Sequence, residues 1–134
     1  MPPGPQKPSA LTHLELAFGH LLYADALATR KLGDDPVIVG WAITGLFYSS
    51  LHVVRAYLTA RHGFEVREHR DMDEVWRRFP EVAKIRRTYD LLKQESQTAR
   101  YYGGPHFTWN DFSRLRQTAL SINAPWTMKT RPHL

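Results

Sequence analysis

The chain has 134 residues, a net charge of +5 and no cysteine. Its length predicts one domain with its own core, and the missing thiols exclude disulfides, thiolate metal sites and cysteine nucleophiles. The excess of Lys and Arg is large enough to attract polyanionic partners, and a soluble basic surface without such a partner is the alternative. The N-terminal MPPGPQKPSA has no apolar run of the kind found in secretory signals, which predicts a cytoplasmic protein.

The N-terminal quarter predicts an arm followed by a first helix. Residues 1–8 contain four prolines, which is typical of a disordered arm, and a helical domain is predicted over residues 9–123. Ser9 has the character of a helix N-cap, and Gly33 would end a helix that runs to about Lys31. The apolar residues at helical spacing on the predicted inner face are Leu14, Phe18, Leu21, Leu22 and Ala28.

The second predicted helix is the core element. It begins at Asp34-Asp35-Pro36, continues to about Arg61 and ends at Gly63. Apolar residues surround it, which indicates burial among other helices. Residues 37–54 are uncharged over a length that reaches the lower limit for a membrane span, but the polar residues within them favour a core helix and no membrane. Gly45 and Ser49 leave a shallow strip where another helix can approach.

Two further helices are predicted after a charged connection. Asp71 and Glu74 have the spacing of a capping box for a short third helix. Its predicted inward residues are Met72, Val75, Trp76 and Phe79. A fourth helix is predicted from about Pro80 to Arg100. Its stripe of core residues is Val82, Ile85, Tyr89, Leu92, Ser96 and Ala99.

The last predicted helix has the clearest start. Thr108 has the position of an N-cap with Asp111 at N3, and Phe107 with Phe112 has the spacing of a hydrophobic staple. The apolar face continues to about Asn123, and residues 124–134 are predicted to form a C-terminal tail. No segment alternates with period two. The fold class predicted is therefore all-α, an up-and-down bundle of four long helices plus one short helix.

The turn between the last two helices carries the most suggestive chemistry. Arg100 is predicted on the last turn of one helix and His106 just before the next, with two glycines and a proline between them. A fixed cation beside a neutral imidazole can stabilise a phosphate and activate a hydroxyl without a metal. Aromatic residues near a basic surface can also stack on unpaired bases, or they can simply fill the end of the bundle. The predicted substrate-binding residues are Tyr101, Tyr102, Arg114 and Arg116.

Two other groups of polar residues give weaker indications of a functional site. Two histidines and two glutamates lie between His62 and His69, but their spacing matches no metal-ligand motif. A solvated loop is the preferred interpretation, and no metal or cofactor is predicted. His52 and Arg55 share a face of the second helix, which points to a subunit interface or to residues that support the site.

Two stretches resemble the HEPN domain, a helical family named from higher eukaryotes and prokaryotes nucleotide-binding. WAITGLFYSSLHVVRAYLTARHG is similar to the second long helix of that family, and Arg100-YYGGP-His106 is similar to its motif of an Arg followed by four to six residues and a His. The resemblance covers roughly residues 10–122. It implies a HEPN-like bundle, in which Arg100 would hold a scissile phosphate and His106 would act as general base or acid.

The resemblance leaves more than one function open. Catalytic members cleave RNA without metal where two subunits meet, which implies a homodimeric endoribonuclease of a toxin or defence type. Members with a similar aromatic Arg-Tyr segment lack nuclease activity and serve as partners of nucleotidyltransferases or as adaptors. A helical domain unrelated to RNA is the third possibility. The small strip at Gly45 and Ser49, beside His52, Arg55 and Arg100, would suit the second subunit of a homodimer.

Overall fold

Helices form all the regular structure in the described part of the chain. The computed structural model describes residues 9–30, 35–101 and 107–134. Those residues form six α-helices, no strand and a final 3-10 turn at Arg131–His133. The helices are α1 (Ala10–Arg30), α2 (Pro36–His62), α3 (Asp71–Arg78), α4 (Pro80–Ala83), α5 (Arg86–Tyr101) and α6 (Trp109–Thr130). The all-α prediction is confirmed, whereas the arm at 1–8 and the predicted helix boundary at Lys31 to Asp34 lie outside the described residues.

Helix α2 is the centre of the bundle, and α1, α5 and α6 pack around it. It begins where the Asp35 carboxylate accepts a hydrogen bond from the Val37 amide at 2.9 Å. It ends at Gly63, whose φ of 63° lies in the left-handed region that favours glycine. By length and composition α2 could cross a membrane, but 72% of its most apolar window is buried inside the bundle. The prediction of a core helix is confirmed.

Helix α1 packs so closely against α2 that its large apolar residues could not fit between the two helices. A Cβ added at Gly45 would stand 3.3 Å from the His20 carbonyl oxygen and 3.4 Å from the Ala24 Cβ. Small residues therefore fill the contact, and Ala17 and Ala24 are buried. The predicted inner face is wrong at Phe18, which is 64% exposed, and also at Leu22, because the alanine face is the one that permits the close approach.

The strip of small residues on α2, Gly45 and Ser49, is thus covered by α1 of the same chain. Ser49 donates a hydrogen bond to the Ala17 carbonyl oxygen of α1 at 2.7 Å, and Gly45 faces the same helix. The strip cannot receive a second subunit while α1 covers it. The small residues therefore no longer support a homodimer, whereas His52, Arg55 and Arg100 remain partly exposed, and dimerisation stays a prediction.

The region from α3 to α5 confirms the predicted core residues and corrects the predicted boundaries. Met72, Val75, Trp76 and Phe79 are all buried. The predicted capping box is wrong, because Asp71 is itself the first helical residue and its carboxylate accepts the amides of Arg67 and Glu68. The predicted fourth helix is two helices, since the Ile85 amide bonds to the Val82 carbonyl and tightens the chain there.

Helix α6 confirms its predicted start and extends past its predicted end. Both bonds of the capping box between Thr108 and Asp111 are present. The helix continues through Pro125 to Thr130, so the predicted tail at 124–134 is wrong over residues 124–130. Trp126 is buried and meets the Tyr57 ring edge to face at 4.7 Å between centroids. Burial of that large side chain offsets the amide that proline lacks.

Candidate functional site

One stripe of α2 is left uncovered by the neighbouring helices. Its residues recur at intervals of three, four or seven along the helix: Val37, Trp41, Tyr48, His52 and Arg55. These side chains are exposed or half-buried, in contrast to the rest of the helix from Val39 to Leu58, which is buried. The stripe therefore presents aromatic rings and basic groups together at the surface of the bundle.

A histidine stack, which consists of His13, His20 and His52, joins the middle of this stripe to α1. The rings of His13 and His52 lie 5.3 Å apart, and those of His20 and His52 lie 5.5 Å apart. The Nδ1 atoms of His13 and His52 share a hydrogen bond of 3.0 Å. One of those nitrogens donates and the other accepts, so the pair is compatible with neutral rings.

Burial and like charge keep His52 neutral near pH 7. Burial is the larger cause, and the nearby His13, Arg55 and His20 add to it, lowering the pKa of His52 to about 4. Burial also lowers the pKa of His13 and that of His20. The prediction that His52 and Arg55 share a face is confirmed, and His52 is linked to α1 of its own chain.

Arg55 lies at the end of the stripe beside a cavity of about 150 Å³. The cavity is lined by Tyr48 and Arg55 of α2 and by residues 66–69 of the connection to α3. The Nε atom of Arg55 is buried and has no hydrogen-bond partner within the described residues. Burial lowers the pKa of Arg55, while the negative charges of Glu65 and Asp71 raise it. Arg55 is therefore held in place as a partly desolvated cation.

His69 stands at the same cavity among three cations, and we call Arg55, His69, Lys93 and Arg100 the basic cluster. The His69 ring stacks on the buried Phe47 with 6.1 Å between centroids. The residue is exposed overall, but desolvation of the ring against the bundle, followed by the positive charges of Lys93, Arg100 and Arg55, lowers the pKa of His69. The imidazole is thus neutral at pH 7 in a field of positive charge. This combination can hold a phosphate and accept a proton.

Arg100 is on the last turn of α5, as predicted, and is half-buried. It lines a cavity of about 200 Å³ between α2 and α5. Tyr102 and His106 lie outside the described residues, as does the side chain of Tyr101. The predicted pairing of Arg100 with His106 therefore stays a prediction.

The two predicted substrate-binding arginines of α6 have carboxylate neighbours. Arg116 forms a two-pronged ion pair with Asp25 of α1, at 2.7 and 2.9 Å, and this bond raises the pKa of Arg116. Arg114 lies 3.7 Å from Asp111 and is exposed. Arg116 borders a groove between α1 and α6 with Trp109 and Phe112, away from the α2–α5 cavity. A structural role for Arg116 follows from that geometry.

Sequence reasoning missed His69 and Lys93. His69 is exposed, as the predicted solvated loop requires, but its ring also stacks on Phe47, a contact that its spacing in the sequence does not indicate. Lys93 is four residues from Tyr89 on the core stripe of α5, and that spacing could have assigned it to the same face. Within the described ranges, no group of three or more His, Asp or Glu residues is placed to hold a metal ion.

The comparisons with known proteins give no identification. The chain matches no protein-family model, and neither a curated protein nor a solved structure is significantly similar to it.

Proposed function

We propose that this protein is a HEPN-like, RNA-directed module whose basic cluster binds the phosphate backbone. The observation that carries the proposal is that Arg55 and His69 line one cavity, with Lys93 and Arg100 near enough for their positive charges to act on His69. Several cations gathered at one surface favour an anionic ligand. The net charge of +5 agrees with a polyanionic partner.

The same groups supply the chemistry of metal-independent RNA cleavage. A guanidinium such as that of Arg100 binds two phosphate oxygens and stabilises the charge that develops on them. A neutral imidazole, from His69 or the predicted His106, accepts the proton of the 2′-hydroxyl. The 2′-oxygen then attacks phosphorus, the bond to the 5′-oxygen breaks, and that oxygen takes a proton from an imidazolium or water. The products are a 2′,3′-cyclic phosphate and a 5′-hydroxyl end.

The proposal is tested by incubating purified protein with end-labelled single-stranded RNA in excess EDTA. We expect cleavage that leaves a 2′,3′-cyclic phosphate and that fails on DNA, which lacks the 2′-hydroxyl. Arg100→Ala should slow cleavage by about 10²–10³-fold because it removes a charge-stabilising donor. His106→Ala and His69→Ala separate the two candidate bases, and the true base should lose about 10²–10⁴-fold.

A matched control exists on the same helix. Arg86 is an exposed cation on the first turn of α5, 3.6 Å from Asp90. Arg86→Ala should leave cleavage unchanged and should change stability by about as little as Arg100→Ala, roughly 1 kcal/mol or less. Cleavage that survives Arg100→Ala would remove the assigned site, and the absence of both RNA binding and cleavage would reject the RNA-directed function.

A second candidate function, a non-catalytic partner of a nucleotidyltransferase or another protein, has one specific observation in its favour. Helices α1 and α6 form an apolar groove of about 370 Å³, lined in part by Phe18 and Met128, which are both exposed. Exposed apolar surface of this kind is typical of protein-binding sites. Co-purification with a co-expressed nucleotidyltransferase that is lost in Phe18→Ser would favour this role, and light scattering coupled to gel filtration would test the homodimer.

A further inference from the structure

Trp41 is exposed on a helix that is otherwise the core of the protein. It belongs to the uncovered stripe of α2 and is 51% exposed, whereas Trp76 and Trp126 are buried. An indole left half in water forgoes part of the stabilisation that burial of a large apolar side chain provides. Exposed tryptophans are enriched at binding surfaces, where they supply a rigid flat face.

The packing of α5 against α2 brings Arg100 to the same place. Trp41 and Arg100 both line the cavity of about 200 Å³, together with Val37, Gly40 and Ala99. A Cβ added at Gly40 would stand 2.7 Å from the Ala99 carbonyl oxygen, so only glycine lets α5 approach this closely. A flat aromatic face and a cation are thereby held side by side on two rigid helices.

We propose that this cavity binds one unpaired nucleobase of a single-stranded RNA, stacked on Trp41, while Arg100 contacts the adjoining phosphate. The inference rests on the proposed RNA-directed function and adds the recognition of an unpaired base. Every base has a π-face, so stacking on an indole suits single strands of any sequence. In a duplex the bases are already stacked on one another and are not available to the protein.

The size and charge of the cavity fit this ligand. Clefts that enclose whole small molecules measure roughly 300–1,000 Å³, so about 200 Å³ corresponds to a planar group with the rest of its chain outside. The apolar walls at Val37 and Ala99 suit the body of a base. The basic cluster continues from Arg100 towards Lys93 and Arg55, which provides a positive path for the neighbouring phosphates.

The test measures the binding of 2′-O-methyl oligoribonucleotides, which cannot be cleaved through the 2′-oxygen, by fluorescence anisotropy. Wild-type protein and variants are compared on a single strand, on the same strand with abasic positions, and on a duplex. Trp41→Ala should weaken binding to the single strand by about tenfold, which corresponds to the loss of one stacked base. Trp41→Phe should retain most of the affinity, since a phenyl ring still stacks. The abasic strand should bind wild type and Trp41→Ala equally.

Phe18→Ala is the matched control, because Phe18 is another exposed aromatic residue but lies on α1 beside α6. It should bind the single strand like wild type. If wild type binds the single strand and Trp41→Ala does so equally well, the base site is wrong and the RNA-directed function stands. If wild type binds none of the oligonucleotides, both proposals fail. If Trp41→Ala leaves RNA binding intact and converts a dimer into a monomer, Trp41 is an interface residue and the base site is rejected.

Discussion

Helix α2 carries polar side chains on two of its faces. The two sets differ in whether their hydrogen-bonding groups find partners within the described part of the chain. On the face towards α1 and α6, the hydroxyls of Ser49 and Ser50 bond to both ends of the Asn123 amide at 2.9 Å. The Ser49 hydroxyl also donates to the carbonyl oxygen of Ala17 at 2.7 Å. On the uncovered stripe, Arg55 acts on His69 through repulsive charge, and its Nε atom finds no partner in the described part of the chain.

This difference separates polar groups that hold the helices together from polar groups that are available to bind a ligand. Buried polar groups that satisfy one another join α1, α2 and α6 and need no ligand. Like charges gathered at a surface raise the energy of the folded protein, and an anionic ligand can relieve that repulsion. On this reasoning, changes on the first face should affect stability alone, and changes on the second should affect binding.

The largest effect is expected at Gly40, where one substitution should reduce both stability and RNA binding. Gly40→Ala places a Cβ 2.7 Å from the Ala99 carbonyl oxygen, and backbone cannot move aside as easily as a side chain. We expect a loss of about 3 kcal/mol of unfolding free energy, at the upper end for overpacking, measured by urea denaturation. Displacement of α5 should also weaken single-strand RNA binding, because Arg100 would move away from Trp41.

Gly19→Ala is the control for this prediction. Gly19 is also helical, but a Cβ there would meet nothing within 4 Å. The substitution should stabilise the protein by about 0.5–1 kcal/mol, because alanine restricts the unfolded chain and favours the helix. Equal effects of the two substitutions would contradict the close packing at Gly40.

Asn123→Ala tests the structural face. It removes the acceptor of the Ser50 hydroxyl and the donor that reaches Ser49, within a buried network. We expect a loss of about 2 kcal/mol, because polar groups are left without partners in the core. RNA binding at a temperature where the variant is folded should match wild type. Asn110→Ala, at an exposed position near the start of α6, should change stability by less than about 0.5 kcal/mol.

The histidine stack gives the smallest predicted effect, a dependence of stability on pH. The pKa of His52 is lowered to about 4 in the folded protein, so the unfolded chain binds more protons between about pH 6.5 and 4. Stability should therefore fall as the pH drops through that window. We expect His52 to contribute about 1.5 kcal/mol of this loss, because the group is only partly buried.

His52→Phe should flatten that pH dependence, whatever it does to stability at pH 7. His13, His20 and Arg55 face His52, and the lowered pKa of His13 and that of His20 leave a smaller slope of the same sign. His133→Gln, on the exposed C-terminal turn, should leave the slope unchanged. An unfolding free energy that stays constant from pH 7 to 4 in wild type would refute the lowered pKa of His52.

Local signals in the sequence predicted the helix starts and most of the core. The Asp35 cap, the capping box of Thr108 with Asp111 and the glycine end at Gly63 depend on a few adjacent residues, and all three are present. The core stripe of α5 follows from helical period, and its members Tyr89, Leu92 and Ser96 are buried. The sequence also placed Arg100 on a helix end, because Gly103 and Pro105 follow it.

The sequence alone determined that the protein is an all-helical bundle around α2, because caps and periodicity are read from neighbouring residues. Only the tertiary structure decided which face of α1 is buried, since Phe18 and Ala17 both keep helical spacing and the choice depends on Gly45 of another helix. Only the tertiary structure brought His69 and Lys93 to Arg100, and Trp41 to Arg100. Those groupings join segments far apart in the chain, and their contacts are fixed by how closely the helices pack.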